Sequence, residues 1–171
     1  MENENRRSIL SQKYIEVIAA HNGYQTITSP TDLTSIKIRE LVKQKLPKGK
    51  HTYLFSNREI KGSVLPYSES QVKQGKGSVK FNVDPGLYNN LLETANLQRP
   101  TVLFICTWPS HKSSTIIFSK EAMSLICTCY WFLPPKKAKP ASNSKSLNIE
   151  IPDNQIIDLN GFEKLFDDIY I

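Results

Sequence analysis

Thr101-Val-Leu-Phe-Ile-Cys-Thr-Trp108 and Ser124-Leu-Ile-Cys-Thr-Cys-Tyr-Trp-Phe-Leu133 decide how this chain folds. Pro100 and Pro134 bracket them, and Pro109-Ser-His-Lys-Ser-Ser114 and Thr115-Ile-Ile-Phe118 lie between. A run of about four to eight apolar residues bounded by turn signals reads as a strand buried on both faces. Enrichment in Thr, Val, Ile and Trp favours strand over helix, because branched and aromatic side chains fit a pleated, packed surface. The rest of the chain must pack on this segment or hang from it.

Working toward the N-terminus, Asp84-Pro85 opens a helix with an N-cap carboxylate followed by Pro at the first helical position. Leu87, Leu91, Leu92 and Ala95 supply its apolar side. Val79-Lys-Phe-Asn-Val83 alternates as a strand. Residues 68–78 are polar and read as an exposed loop. Strands are predicted at 35–46, at His51–Phe55 and at Gly62–Tyr67, where Pro66 favours an edge or an irregular end. Tyr24-Gln-Thr-Ile-Thr28 is another strand. Residues 6–22 read as a helix with Leu10, Tyr14, Val17, Ile18 and His21 on one face, stopped at Asn22-Gly23. Toward the C-terminus, residues 134–145 are Pro/Lys/Ser-rich and read as an exposed loop. Leu147–Ile151 alternates as a strand. A last helix begins after Asn160, with Glu163 in capping-box position and Leu165, Phe166 and Ile169 inward. This order predicts one α/β or α+β domain over 1–171, with a single mixed sheet flanked by helices.

No segment approaches the ~20 apolar residues of a membrane helix, so no membrane partner is expected. The polar start, Met1-Glu-Asn-Glu-Asn-Arg-Arg7, has no signal core, and a cytoplasmic location is expected. Cys106, Cys127 and Cys129 all lie inside apolar runs, which suits reduced core thiols better than a metal site lacking a fourth ligand. The net charge is +6, unevenly spread. From Lys37 to Lys80, eleven Lys/Arg face three Glu; from Asn148 onward, six acids face one Lys. A basic middle and an acidic tail make a one-sided positive field, which suits a polyanion such as nucleic acid.

Sites of catalysis are harder to find. Gly75-Lys-Gly77 lacks the spacing and the following helix of a phosphate loop. His21, His51 and His111 form no metal-ligand pattern. Metal-dependent phosphodiester cleavage needs two or three converging carboxylates with a Lys to position the nucleophile. The acids of the N-terminal half, Glu16, Asp32, Glu40, Glu59 and Glu69, are thinly spread. Glu59-Ile-Lys61 has the right local spelling but reads as an exposed charged edge.

The chain resembles the domain of unknown function 4365 family, within the PD-(D/E)XK nuclease-like superfamily. The resemblance rests on Ser11 to Tyr24, a helix ending in Gly-Tyr, and on Phe81-Asn-Val-Asp84, Leu87-Tyr88 and Pro100 to Pro109. It continues through Cys129-Tyr-Trp131, Ile149-Glu-Ile-Pro152 and Asn160 to Phe166. It implies a restriction-endonuclease-like core and a bacterial setting tied to defence or mobile elements. It also implies two landmarks. For Asp-x-x-Gly-x-Asp the place here is Asp32-Leu-Thr-Ser-Ile-Lys37, so the metal-binding Asp has become Lys37. For Gln-x-Lys the best place is Leu65-Pro-Tyr67, so both functional residues are replaced. A Lys at the carboxylate position repels Mg²⁺.

The expected function is therefore a catalytically inactive nuclease-like domain, without cofactor or metal, that binds DNA or RNA or scaffolds a nucleic-acid-processing complex. Its phosphate contacts are expected at Lys37, Lys43, Lys45, Lys48, Lys50, Lys73 and Lys76. Two alternatives stand beside it. One is a protein-interaction subunit, motivated by Tyr130-Trp-Phe-Leu-Pro-Pro135. The other is a Mg²⁺-dependent endonuclease with a rearranged site at Glu16, Asp32, Glu59 and Lys61.

Overall fold

The first apolar run forms strand β6 (Thr101–Trp108), buried along nearly its whole length. In a computed structural model, residues 2–111, 115–142 and 145–170 are described; Lys112, Ser113 and Ser114 between the two apolar runs, and Asn143 and Ser144 of the loop predicted at 134–145, lie outside them. α1 (Glu2–His21) leads into β1 (Tyr24–Ser29), β2 (Asp32–Lys45) and β3 (His51–Ser68). β4 (Lys73–Gln74) and β5 (Ser78–Val83) precede α2 (Pro85–Thr94). After β6 come β7 (Ile116–Phe118), β8 (Met123–Leu125), β9 (Thr128–Phe132), β10 (Leu147–Pro152) and α3 (Gly161–Tyr170).

The fold is α+β. Its main sheet has the order β1-β2-β3-β6-β9. Only the β3–β6 pair is parallel, and the connection between them carries α2, as a parallel crossover requires. Val102, Phe104, Cys106 and Trp108 point to one face, where α1 and α3 cover them with Ile15, Ala19, Phe162, Leu165 and Phe166. Leu103 and Ile105 point to the other, against Val79, Phe81, Leu91, Ile149 and Ile151 of α2 and a second sheet, β10-β5-β4. That second layer covers β6, β9 and the later part of β3, and leaves Ile27, Lys37 and Lys61 of the outer strands exposed.

Several elements differ from their sequence reading. β3 is one strand of 18 residues rather than two. Pairing with β2 ends at Ser35↔Ser63, so Pro66 lies where β3 has only β6 as a neighbour and its missing N–H costs no ladder bond. The run Ser124–Leu133 is divided: β8 pairs with the exposed β7, and β9 pairs with β6. The polar stretch 68–78 contains a short 3-10 turn at Glu69–Gln71 and the edge strand β4. In α1 the buried stripe is Ser8, Ser11, Gln12, Ile15 and Ala19, while Val17 is exposed. Small residues let the helix approach the sheet, and Ser11 Oγ accepts the Trp108 indole N–H at 2.9 Å. Gln12 Nε2 donates to the Asp32 and Ser35 carbonyls. Asn22-Gly23 does stop the helix, with Gly23 at φ +78°.

Gly62 marks the tightest approach in the sheet. A Cβ there would sit 2.6 Å from Ile36 Cγ2 and 2.6 Å from Phe104 Cε2. Both neighbours are fully packed, so neither yields freely. Gly62→Ala is expected to destabilise the fold by about 1–3 kcal/mol, read as a lower urea midpoint at unchanged m-value. A variant as stable as the parent would show that the gap at Gly62 is not a packing constraint.

Candidate functional site

Alternation along β2 and β3 sets the site. Ile36, Ile38 and Ile60 enter the core beneath α1 and α3, so Lys37, Arg39, Glu59 and Lys61 rise from the opposite face. Lys37 and Lys61 are directly opposed across the two strands. They share an open cavity of about 470 Å³ with Ile27, Thr28, Ser29, Ser35 and Gly62. No carboxylate lines it. Like charges directly opposed across a sheet repel, so this cavity favours an anion.

Glu59 rises from that same face, and it is engaged. It is only 4% exposed, in an interior strand, and not on an exposed edge as its sequence context suggested. Its Oε2 pairs with Arg39 Nε, and its Oε1 lies 3.4 Å from the Arg99 guanidinium. Burial alone would raise the Glu59 carboxyl. The Arg39 hydrogen bond and the charges of Arg39, Arg99 and Lys37 outweigh it and hold the carboxyl below the usual glutamate range. The register puts Glu59-Ile-Lys61, and not Leu65-Pro-Tyr67, beside Lys37. Leu65 and Tyr67 lie about 13 and 20 Å farther along the strand and pack against the second sheet, with the Tyr67 ring edge-on to Phe81 at 5.4 Å.

The other carboxylates do not join Glu59. Glu16 lies on α1, on the other side of the main sheet, paired with Lys13 at 2.8 Å. The Asp32 carboxylate is folded back on Ser35 Oγ and on the Thr34 hydroxyl and N–H. Those hydrogen bonds, Ser35 first, hold Asp32 below the usual aspartate range. Among the described residues no three of His, Cys, Asp and Glu are grouped to hold a metal ion. The Mg²⁺ that the family resemblance implies does not fit this face, whose open groups are cations. Cys106 and Cys129 are cross-strand partners in the core, and burial pushes the Cys127 and Cys129 thiols up, which keeps them protonated.

Four of the predicted phosphate contacts lie on one arm. β1 pairs with β2 only as far as Glu40, and β6 meets β3 only from Lys61 onward. Beyond those points Leu41–Lys45 and His51–Phe55 pair with each other, as a ribbon of about 15 Å. It carries Lys43 and Lys45, with Lys48 and Lys50 at its turn. Lys48 takes a left-handed φ of 64° next to Gly49 at 72°. Lys73 and Lys76 are elsewhere, on and beside β4; Lys73 borders a separate cavity with Tyr67 and Asn82. Arg39 and Arg99 were not singled out from sequence. Arg39 was legible as the next outward residue after Lys37, whereas Arg99 sits in a turn with no pattern to mark it.

No family model, no curated protein and no solved structure matches this chain.

The lowered Glu59 carboxyl has a sign. Because the folded form holds the charge more firmly than the unfolded chain, the added stability is present above the ordinary glutamate pKa of about 4.3 and is lost as pH falls through the lower folded value. Glu59→Gln is expected to cost about 1.5–3 kcal/mol at neutral pH, since hydrogen bonds to charged groups are lost. The gap between parent and variant should close as the pH is lowered below about 4. Urea titrations across the acid range check both points, and a gap independent of pH would assign the effect to packing.

Proposed function

We propose that this chain is a catalytically inactive nuclease-like domain that binds nucleic acid. One observation carries the reading: the opposed pair Lys37 and Lys61 in an open cavity with no carboxylate in its lining, where nearby Glu59 is neutralised by Arg39 and Arg99 and the Asp32 carboxylate is held by Ser35 and Thr34. By the family resemblance this is where a metal and its carboxylates belong. Ammonium groups there attract a phosphate directly and exclude the divalent cation that would activate water. Thr28 lines the same cavity and adds a hydroxyl that can donate to a phosphate oxygen, whereas the Ser35 and Ser29 hydroxyls are engaged with Asp32 and Thr31. Arg39 continues the cationic row toward the ribbon.

Contacts of this type fix position without reading bases, so binding is expected to be sequence-independent and steeply salt-dependent. Cleavage, where the biology requires it, falls to a partner that this domain holds on the strand. A second reading, a protein-interaction subunit, has its own observation. The β7–β8 hairpin exposes Ile117, Phe118 and Met123, with Phe118 80% exposed. The aromatics of Tyr130-Trp-Phe132 are packed inward instead: Trp131 is buried, and Tyr130 and Phe132 lie against the second core.

Replacing Lys45, Lys48 and Lys50 together by Glu is expected to weaken DNA and RNA binding and to flatten the slope of log K against log salt. Each lost phosphate contact removes about 0.7–0.9 from that slope. Anisotropy titrations at several salt concentrations provide the measurement, and unchanged binding would overturn the reading. Supercoiled plasmid should remain intact with Mg²⁺ or Mn²⁺. Nicking that requires the metal and vanishes in Asp32→Ala would instead restore the endonuclease alternative.

A further inference from the structure

The nucleic-acid reading leaves open which form of nucleic acid fits, and the ribbon bears on that. Its cross-strand pairs are Leu41↔Phe55, Val42↔Leu54, Lys43↔Tyr53, Gln44↔Thr52 and Lys45↔His51. Alternation gathers Leu41, Lys43, Lys45, His51, Tyr53 and Phe55 on one face. The Arg39 guanidinium lies 5.6 Å over the Phe55 ring, and Arg39 bonds Glu59, so this ribbon face continues the face of Lys37 and Lys61. Tyr53 is 64% and Phe55 55% exposed. Cations and aromatic rings thus share one face across the register shift between Arg39 and Leu41; the acid on it, Glu59, is held by Arg39 and Arg99, and no acid occurs in the sequence between Glu40 and Glu59.

The geometry points to a track for single-stranded nucleic acid: Lys37, Lys61, Lys43 and Lys45 hold the phosphates, and unpaired bases stack on Tyr53 and Phe55. This rests on the nucleic-acid reading and specifies its ligand. Rows of outward side chains recur about every 7 Å along a strand, close to the repeat of an extended single strand. Exposed rings flanked by cations are the combination that single strands use, because every base offers a ring face. In a duplex those faces are already stacked on one another, so Tyr53 and Phe55 would find no partner. Edge-to-edge pairing of two ribbons is opposed by the repulsion of Lys43, Lys45, Lys48 and Lys50.

The test uses an end-labelled mixed-sequence oligonucleotide, as a single strand and as the blunt duplex, read by anisotropy with the full chain. The single strand is expected to bind more tightly. Tyr53→Ala and Phe55→Ala are expected to weaken single-strand binding about 5- to 150-fold each, with the salt slope unchanged. Tyr53→Phe keeps the ring and should retain affinity, while Tyr53→Leu, equally apolar, should not; circular dichroism confirms that each variant is folded. Lys43→Ala should instead lower the salt slope by about 0.7. A preference for duplex, or aromatic substitutions without effect, overturns the track. If the Lys45, Lys48 and Lys50 reversal still weakens binding in that case, the broader reading survives. Binding of neither form removes both.

Discussion

Strand β6 has no polar side. Its even-numbered residues enter the core under α1 and α3, and Leu103 and Ile105 the core under α2 and the second sheet. A strand committed to two cores cannot slip in register without moving every side chain to the wrong layer. Its parallel neighbour β3 is fixed by it from Lys61 to Ser68, and the closeness of that pair shows at Gly62, pressed between Ile36 and Phe104. Burying Trp108 in this layer also requires an acceptor for its indole N–H, because an unpaired buried donor costs about 1–3 kcal/mol. Ser11 meets that requirement from α1, so one hydrogen bond ties the first helix to the central strand.

The same commitment explains where the sheet stays open. The second layer is narrow and is drawn to β6, β9 and the later part of β3. The outer strands are thus covered on one face only. Their free face needs polar or charged residues, and it receives Lys37, Arg39, Glu59 and Lys61. A closed electrostatic frame supports the base of the ribbon on the helical side. Arg58 bonds Glu40 at 3.4 Å, Asp167 at 3.1 Å and the Phe166 carbonyl at 3.2 Å, and lies 5.4 Å over the Tyr170 ring. The Tyr170 hydroxyl in turn bonds the backbone of Glu59. Each exposed pair alone is worth little. Together they fix α3 against the irregular register between Arg39 and Leu41. A projecting arm keeps its direction only if its root is held.

Much of this was legible wherever local chemistry decides structure. Asp84-Pro85 opened a helix, and the Asp84 carboxylate does accept the Leu87 N–H. Gly23 ended one. The dense run at Thr101–Trp108 became the twice-buried strand. Elsewhere the signal was absent for physical reasons. The inward face of α1 uses Ser8, Ser11 and Gln12, which hydrophobic periodicity scores as outward; Trp108 explains Ser11, and the turn at Asp32 explains Gln12. Ser56, Asn57 and Arg58 interrupt the apolar pattern of β3, so it read as two strands, yet Ser56 and Arg58 are held by Glu40. Glu59 read as exposed because its partners lie 20 and 40 residues away. Burial of a charge is a property of the pair, which no local window contains.

That pairing also bears on what the site can become. Lys37 alone does not separate this face from a metal centre. A carboxylate in its place would still find Glu59 bound on both oxygens to Arg39 and Arg99. Releasing Glu59 means removing two cations from a partly buried network, and a buried carboxylate left unpaired is strongly unfavourable. The cationic state is therefore self-consistent: the arginines stabilise Glu59, Glu59 fixes the arginines, and only the lysines remain with charge to offer a ligand. Opposed as they are, Lys37 and Lys61 repel by an amount on the order of 0.2–1 kcal/mol. An anion between them turns that repulsion into attraction, which makes the least satisfied pair on this face the one with most to gain from a phosphate.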